Sequence, residues 1–160
     1  MQSLEEMRAF FAARVDIYDE HMRNEVKGCR EGYARMAALL PEGIHSLLDL
    51  GCGTGLELEG IFARFPDLRV TGIDLTAEML AKLREKFPDK RLALIEGDYF
   101  CVDFGAESFD AAVSFQSLHH FVPEKKRALF ERLAKALKPG GVYVQCDYAA
   151  ESEESEARYF

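Results

Sequence analysis

The chain has 160 residues, with 28 acidic and 20 basic side chains and a formal charge of −8. That length fits one domain with a real core, and the acidic balance argues against a nucleic-acid backbone, whose phosphates call for a basic face. No apolar run is long enough to span a bilayer, and the start "MQSLEEMRAF" lacks the order of a secretory signal, so the chain reads as cytoplasmic with no membrane partner.

Ser3 and Glu6 have capping-box spacing, and Met7, Phe10, Phe11, Ile17 and Tyr18 form an apolar stripe behind them. Residues 4–22 are expected to form one or two amphipathic helices, and a second helical stretch runs from about Glu31 to Leu40, stopped by Pro41. These elements precede any strand and form an added cap, residues 1–43. From Ile44 the rhythm changes. "SLLDL" reads as a buried strand, followed by a glycine turn and the helix "LELEGIFARF". "LRVTGIDL" is the second strand; its helix "TAEMLAKLREKF" has Thr76 at the N-cap. "RLALIEG" and "FDAAVSF" are the third and fourth strands. Pro123 opens a long helix, and "KPGG" turns into the fifth strand "VYVQCDY". Apolar strands alternating with helices predict an α/β fold, a doubly wound, mostly parallel Rossmann-like sheet over residues 44–160. The closing "AAESEESEARYF" looks like the start of an acidic helix. Four cysteines, Cys29, Cys52, Cys101 and Cys146, show no C-x-x-C pair, so neither zinc nor a disulfide framework is indicated.

Three glycines in five positions, Gly51, Gly53 and Gly55, follow the first strand. A ligand in an open parallel sheet sits beyond the carboxyl ends of the strands, where strand order reverses. Bare backbone there admits close approach, and the following helix aims its free N–H groups at the same place. The turn Gly51–Cys52–Gly53, with Gly55, is therefore a candidate ligand cradle. The dinucleotide fingerprint needs a glycine at position 56, where Leu56 stands. Asp74, at the end of the second strand, suits a pair of ribose hydroxyls. Asp49, beneath the turn, would repel a pyrophosphate but tolerates an amino group.

"LLDLGCGTG", "VTGIDLTAEML", "IEGDYF", "FDAAVSFQSLHHF" and "LKPGGVYV" occur in order. Together they resemble the motifs of the class I S-adenosylmethionine-dependent methyltransferases, and "SLHHF" is most similar to the small-molecule, quinone-biosynthesis-like branch. The resemblance implies S-adenosyl-L-methionine as cofactor, S-adenosyl-L-homocysteine as product, and methyl transfer by in-line displacement to a small molecule. It places Asp49, Gly51 and Gly53 at the methionine end, Asp74 on the ribose, and Leu75 and Met79 beside the adenine. Asp98 would accept from the adenine amino group, the Tyr99 backbone would touch the ring, and the Phe115 carbonyl would meet the methionine amine. Met79 reads equally as core, and Asp98 as a turn cap. His119 and His120 are candidate general bases, with a packing role as the alternative. His45 lies at the opposite end of the sheet, and Arg14, Tyr18 and His21 lie on the cap, which in this family commonly closes over the cofactor.

Family members continue past the fifth strand with a further helix and two strands. The chain therefore reads as a truncated member or a short variant, truncation being preferred. Its fifth strand would be an exposed edge that invites a second copy, giving a homodimer. Two rivals remain: a non-catalytic cofactor-binding module, and an NAD-dependent oxidoreductase, against which Leu56 and Asp49 count.

Overall fold

The computed structural model describes residues 3–148. Helices α1 (Leu4–Ala12), α2 (Val15–Asn24) and α3 (Cys29–Leu39) come first. The expected capping box is present: the Ser3 hydroxyl accepts from the Glu6 N–H, and the Glu6 carboxylate accepts from the Ser3 N–H at 2.7 Å. The core then alternates as β1 (Ser46–Leu50), α4 (Leu56–Arg64), β2 (Arg69–Asp74), α5 (Ala77–Lys86), β3 (Arg91–Glu96), β4 (Phe109–Phe115), α6 (Pro123–Ala136) and β5 (Leu137–Cys146), with a short helical turn at Leu118–His120. The five strands are parallel in the order β3-β2-β1-β4-β5. Strand order reverses between β1 and β4, which is where a doubly wound sheet opens a crevice.

Period-two alternation along β1 decides which side chain serves which face. Leu47 joins Val70, Ala111 and Val113 against α3 and α4, while Leu48 and Leu50 join Ile73 and Ala112 against α6 and α1. Leu47, Leu50, Ile73 and Leu83 are fully buried, each contributing about 1.5–3 kcal/mol. Arg64, in the last turn of α4, donates to the carbonyls of Ala37 (2.7 Å) and Leu40 (2.6 Å). It thereby satisfies acceptors that the end of α3 leaves free.

Several expectations need correction. The helix after the glycine turn begins at Leu56, as "LELEGIFARF" reads, but ends at Arg64; Gly53 and Gly55 both hold positive φ and keep the turn out of the helix. Thr76 is the N-cap of α5, as expected, but makes no side-chain cap bond; Asp74 Oδ1 accepts the Thr76 N–H at 2.9 Å. The strand β5 already starts at Leu137, before "KPGG", with a register irregularity opposite Phe109 and Ala111. β3 is mostly exposed or half-buried, so that edge is not covered on both faces. The acidic helix expected over 149–160 lies outside the described residues.

Candidate functional site

The crevice is built from four loops. After β1 the chain turns through Gly51, whose N–H donates to the Ile73 carbonyl at 2.8 Å, tying the turn to the end of β2. Asp74 then braces two loops at once. Its Oδ2 accepts the Gly53 N–H at 2.9 Å and its Oδ1 accepts the Thr76 N–H. Burial raises the Asp74 carboxyl above its ordinary range, and these backbone donors pull against that. After β3, Asp98 Oδ1 accepts the Phe100 N–H at 2.9 Å, so it caps its turn while also lining the crevice. Arg132 of α6 holds the same loop from behind through the carbonyls of Tyr99 (2.9 Å) and Phe100 (2.7 Å). After β4, Gln116 adopts φ 49° and donates its N–H to the Cys146 carbonyl. That turn brings Ser117 to Tyr99, with the two hydroxyls 2.9 Å apart.

Of the residues expected to face a cofactor, Gly51, Gly53, Asp74, Leu75, Met79, Asp98, Tyr99 and Phe115 all line this crevice. Asp49, Cys52 and Gly55 do not line it; they lie beneath the turn. Cys52 is turned inward, its sulfur 2.8 Å from where a Gly72 Cβ would stand, and Gly55 is packed on Leu83. Asp49 is fully buried on the α4 side, and among the described residues no group donates a hydrogen bond to either of its carboxyl oxygens. Glu57, in the first turn of α4, is buried beside it with Oε1 equally unpartnered. Burial, followed by the neighbouring Glu57 charge, drives the Asp49 carboxyl well above the carboxylate range; burial also raises Glu57. Glu57 escaped the sequence reading because a glutamate in a first helical turn ordinarily faces water.

The cap closes the crevice from above. Phe11 and Tyr18 line it, and Asp19 of α2 bonds both Thr54 in the turn and Lys86 of α5. Gln116, Ser117 and the α1 residues Leu4 and Met7 also line the crevice and were not anticipated. Only tertiary packing brings them there.

A second cavity adjoins the first, and Phe11, Tyr18, Gln116 and His120 border both. The two candidate bases separate here. His119 faces the second cavity alone; its Nδ1 lies 2.6 Å from Asp147 Oδ1, leaving Nε2 as the ring nitrogen open to other partners. Asp147 also accepts the Leu118 N–H at 2.7 Å, which fixes the turn carrying His119. His120 borders both cavities, and burial, helped by the His119 charge, lowers it to about 4. Arg14 and His21 line the second cavity, His21 paired with Glu25 at 2.8 Å. His45 is remote: its N–H donates to Asp110 Oδ2 at 2.8 Å, at the far end of the sheet.

This arrangement is a parallel-sheet crevice with a bare glycine turn, a buried acid near the end of β1, a half-buried one at the end of β2 and an aromatic lid. The chain belongs to the family described as the methyltransferase domain, whose model matches residues 47–141. Among curated relatives it is 36% identical over 120 residues to the carboxy-S-adenosyl-L-methionine synthase of Chromohalobacter salexigens, covering 71% of this chain and 43% of that protein. It is 44% identical over 104 residues to the trans-aconitate 2-methyltransferase of Rhizobium meliloti, covering 64% and 37%. The chain thus spans about half or less of the length of these relatives. Among solved structures, the complex of DhpI with SAM and HEP superposes with a TM-score of 0.74 at 25% identity, over 99% of this chain and 73% of that one. Streptomyces venezuelae DesVI superposes with a TM-score of 0.70 at 31% identity, over 86% and 58%. These comparisons give no support to an NAD-dependent oxidoreductase.

Proposed function

We propose that this chain binds S-adenosylmethionine in the crevice at the end of β1 and transfers its methyl group to a small molecule seated in the adjoining cavity. The observation that carries the reading is Asp74. A half-buried carboxylate at the end of β2, bonded to the turn that would carry the methionine end, would accept from two ribose hydroxyls. Asp98 and the Tyr99 backbone would take the adenine, with Leu75 and Met79 against its faces. Gly51 and Gly53 would let the methionine end approach the backbone, and the Phe115 carbonyl would accept from its amine. Cys52, Gly55 and Asp49 would support that turn from below.

The sulfonium is already an activated leaving group, so the protein's work is alignment and the exclusion of water. Phe11 and Tyr18 from the cap serve both ends, because they border both cavities. His119, oriented by Asp147 like a base held by its partner, would take a proton from the acceptor at Nε2. His120, held neutral by its surroundings, would serve as a hydrogen-bond partner at the junction of the cavities. A net charge of −8 and an acceptor cavity that sets Phe10, Ile17, Met22 and Val26 beside Arg14 and the histidines favour a small, partly apolar acceptor over a nucleic acid. The acceptors named for the relatives differ from one to the next, so the quinone-like branch is not carried further.

Three further elements belong to the same proposal. Residues 1–43 act as a cap on a core from 44 onward. The cysteines carry no disulfide, which fits a cytoplasmic setting. Among the described residues β5 forms a sheet edge, and pairing along it would give a homodimer, read directly by sedimentation of the purified chain.

Calorimetric titration with S-adenosylmethionine, S-adenosylhomocysteine and NAD tests the reading. Both sulfur nucleosides are expected to bind and Asp74→Ala to abolish it, since each lost bond to a charged group is worth about 1.5–3 kcal/mol. Binding of NAD alone would overturn it. In a methyl-transfer assay, His119→Ala is expected to lower turnover by about 10²–10⁴-fold with cofactor affinity unchanged. Equal losses in both would make His119 a packing residue.

A further inference from the structure

The buried carboxyl pair beneath the glycine turn has a chemical consequence for the cofactor reading on which this inference rests. Asp49 is the penultimate residue of β1, and Glu57 is the second residue of α4. Both are sealed from water, at 0% and 4% exposure, and among the described residues three of their four carboxyl oxygens find no hydrogen-bond donor. Two carboxylates shut away together without a cation cannot both ionise, because neither water nor a counter-charge offsets their repulsion. The surrounding groups do not relieve this. Asp74 adds negative charge from the end of β2, and the Cys52 thiol in the turn is raised by burial first and then by all three acids. Tyr18 of α2 and Tyr33 of α3 are held protonated by burial and then by Glu57. Lys86 of α5 is the cation whose field reaches Glu57, and it is already bonded to Asp19 and Thr54.

We propose that Asp49 and Glu57 together hold one proton beneath the glycine turn, and that docking of the ammonium group of the cofactor's zwitterionic amino-acid end above them expels that proton to solvent. Glu57 is thereby a positioning residue for the ammonium group. It acts across the turn through the charge that the pair can develop, and Asp49 is the partner with which it shares the proton. The exchange balances: an O–H bond of the pair breaks, the proton goes to buffer, and the vacated negative charge is compensated by the ammonium above. Cofactor affinity then rises with pH across the range in which the free pair still holds its proton. Asp74 does not confuse the signal, because it addresses the ribose, which simpler nucleosides share.

The test is calorimetry at one near-neutral pH in two buffers of different ionisation heat, from which the number of protons released on binding follows. S-adenosylhomocysteine, which carries the amino-acid end, is expected to release a substantial fraction of about one proton. 5′-Methylthioadenosine, which has the ribose and adenine without that end, is expected to release none. Glu57→Gln should leave 5′-methylthioadenosine binding unchanged, weaken S-adenosylhomocysteine and lower its proton release. Heats for S-adenosylhomocysteine that are the same in both buffers would overturn the proposal, and so would equal release by the two nucleosides. If Glu57→Gln does not fold, the comparison of the two nucleosides on the unaltered chain still decides. If neither nucleoside binds, the cofactor reading itself fails, a result distinct from binding without proton release.

Discussion

Gly51 and Gly53 stand two positions apart with φ of 69° and 49°, yet a methyl group added at each would meet different neighbours. At Gly53 it would lie 3.8 Å from the Tyr18 ring, an ordinary contact, so Gly53→Ala costs only the left-handed backbone, about 1–2 kcal/mol. At Gly51 it would lie 2.4 Å from Ser117 Oγ, which the Tyr99 hydroxyl holds in place. Gly51→Ala should therefore destabilise the chain by clearly more than Gly53→Ala. A double-mutant cycle by urea denaturation isolates the clash: Ser117→Gly in the Gly51→Ala background should recover about 1 kcal/mol or more. No recovery would mean that the penalty is purely conformational. The reason for three glycines is thus divided, and only part of it was legible. Their alternation announced a turn, but that Gly55 yields to Leu83 and Gly51 to Ser117 depends on contacts across 28 and 66 positions, which no local pattern encodes.

At the scale of elements, α2 is the piece that joins cap to core. Asp19 reaches Thr54 in the turn and Lys86 on α5, and Lys82 Nζ donates to the Val15 carbonyl at 2.7 Å. Burial would raise the Asp19 carboxyl, but the bonds from Lys86 and Thr54 outweigh it and hold the group below its usual range. The Lys86 and Asp19 side chains are 19% and 16% exposed, so the pair is shielded well enough to matter. Asp19→Asn is expected to weaken cap docking by about 1–2 kcal/mol. In hydrogen exchange, protection should fall across α1 and α2 while β1 and β4 keep theirs. Uniform loss across the sheet would show that the cap does not open separately. Helix existence was readable here because Ser3, Glu6 and the apolar stripe encode it locally. Where the cap docks was not, since Asp19 and Lys86 are ordinary surface-type residues 67 positions apart. The sheet was more legible, as short apolar runs punctuated by glycine and proline leave few topologies open. Its edges were less so: β3 carries the apolar residues of a central strand and stays half exposed. The start of β5 was hidden because "KPGG" reads as a turn while the backbone runs through it as a bulged strand.

For the whole molecule, pH sets two groups of titrating side chains against each other. Asp110 is held well below its usual range by Lys138 and by the N–H groups of His45 and Ser46. Asp147 is also lowered, the His119 bond outweighing its burial. A carboxyl lowered on folding contributes stability that is complete above its unfolded value, about 4, and lost as pH falls through the folded one. His120, lowered to about 4, behaves alike: the unfolded chain binds its proton first, so acid below about 6.5 favours unfolding. Asp49, Glu57 and Asp74 are raised and carry the opposite sign. Over the window between their unfolded and folded values the native state holds more protons, so stability falls as pH rises. The two groups thus carry opposite signs: acid removes the stability contributed by Asp110, Asp147 and His120, and rising pH removes that contributed by Asp49, Glu57 and Asp74. Glu57→Gln separates them, because Asp110, Asp147 and His120 cancel when the variant is compared with the parent chain. With one of the crowded acids removed, the variant should gain on the parent as pH rises from 6 to 9, at a slope approaching about 1.4 kcal/mol per pH unit where the pair titrates. Urea midpoints at three pH values read this directly. Parallel profiles would show that the pair never shares a proton, and would remove the physical basis for linking cofactor binding to proton release.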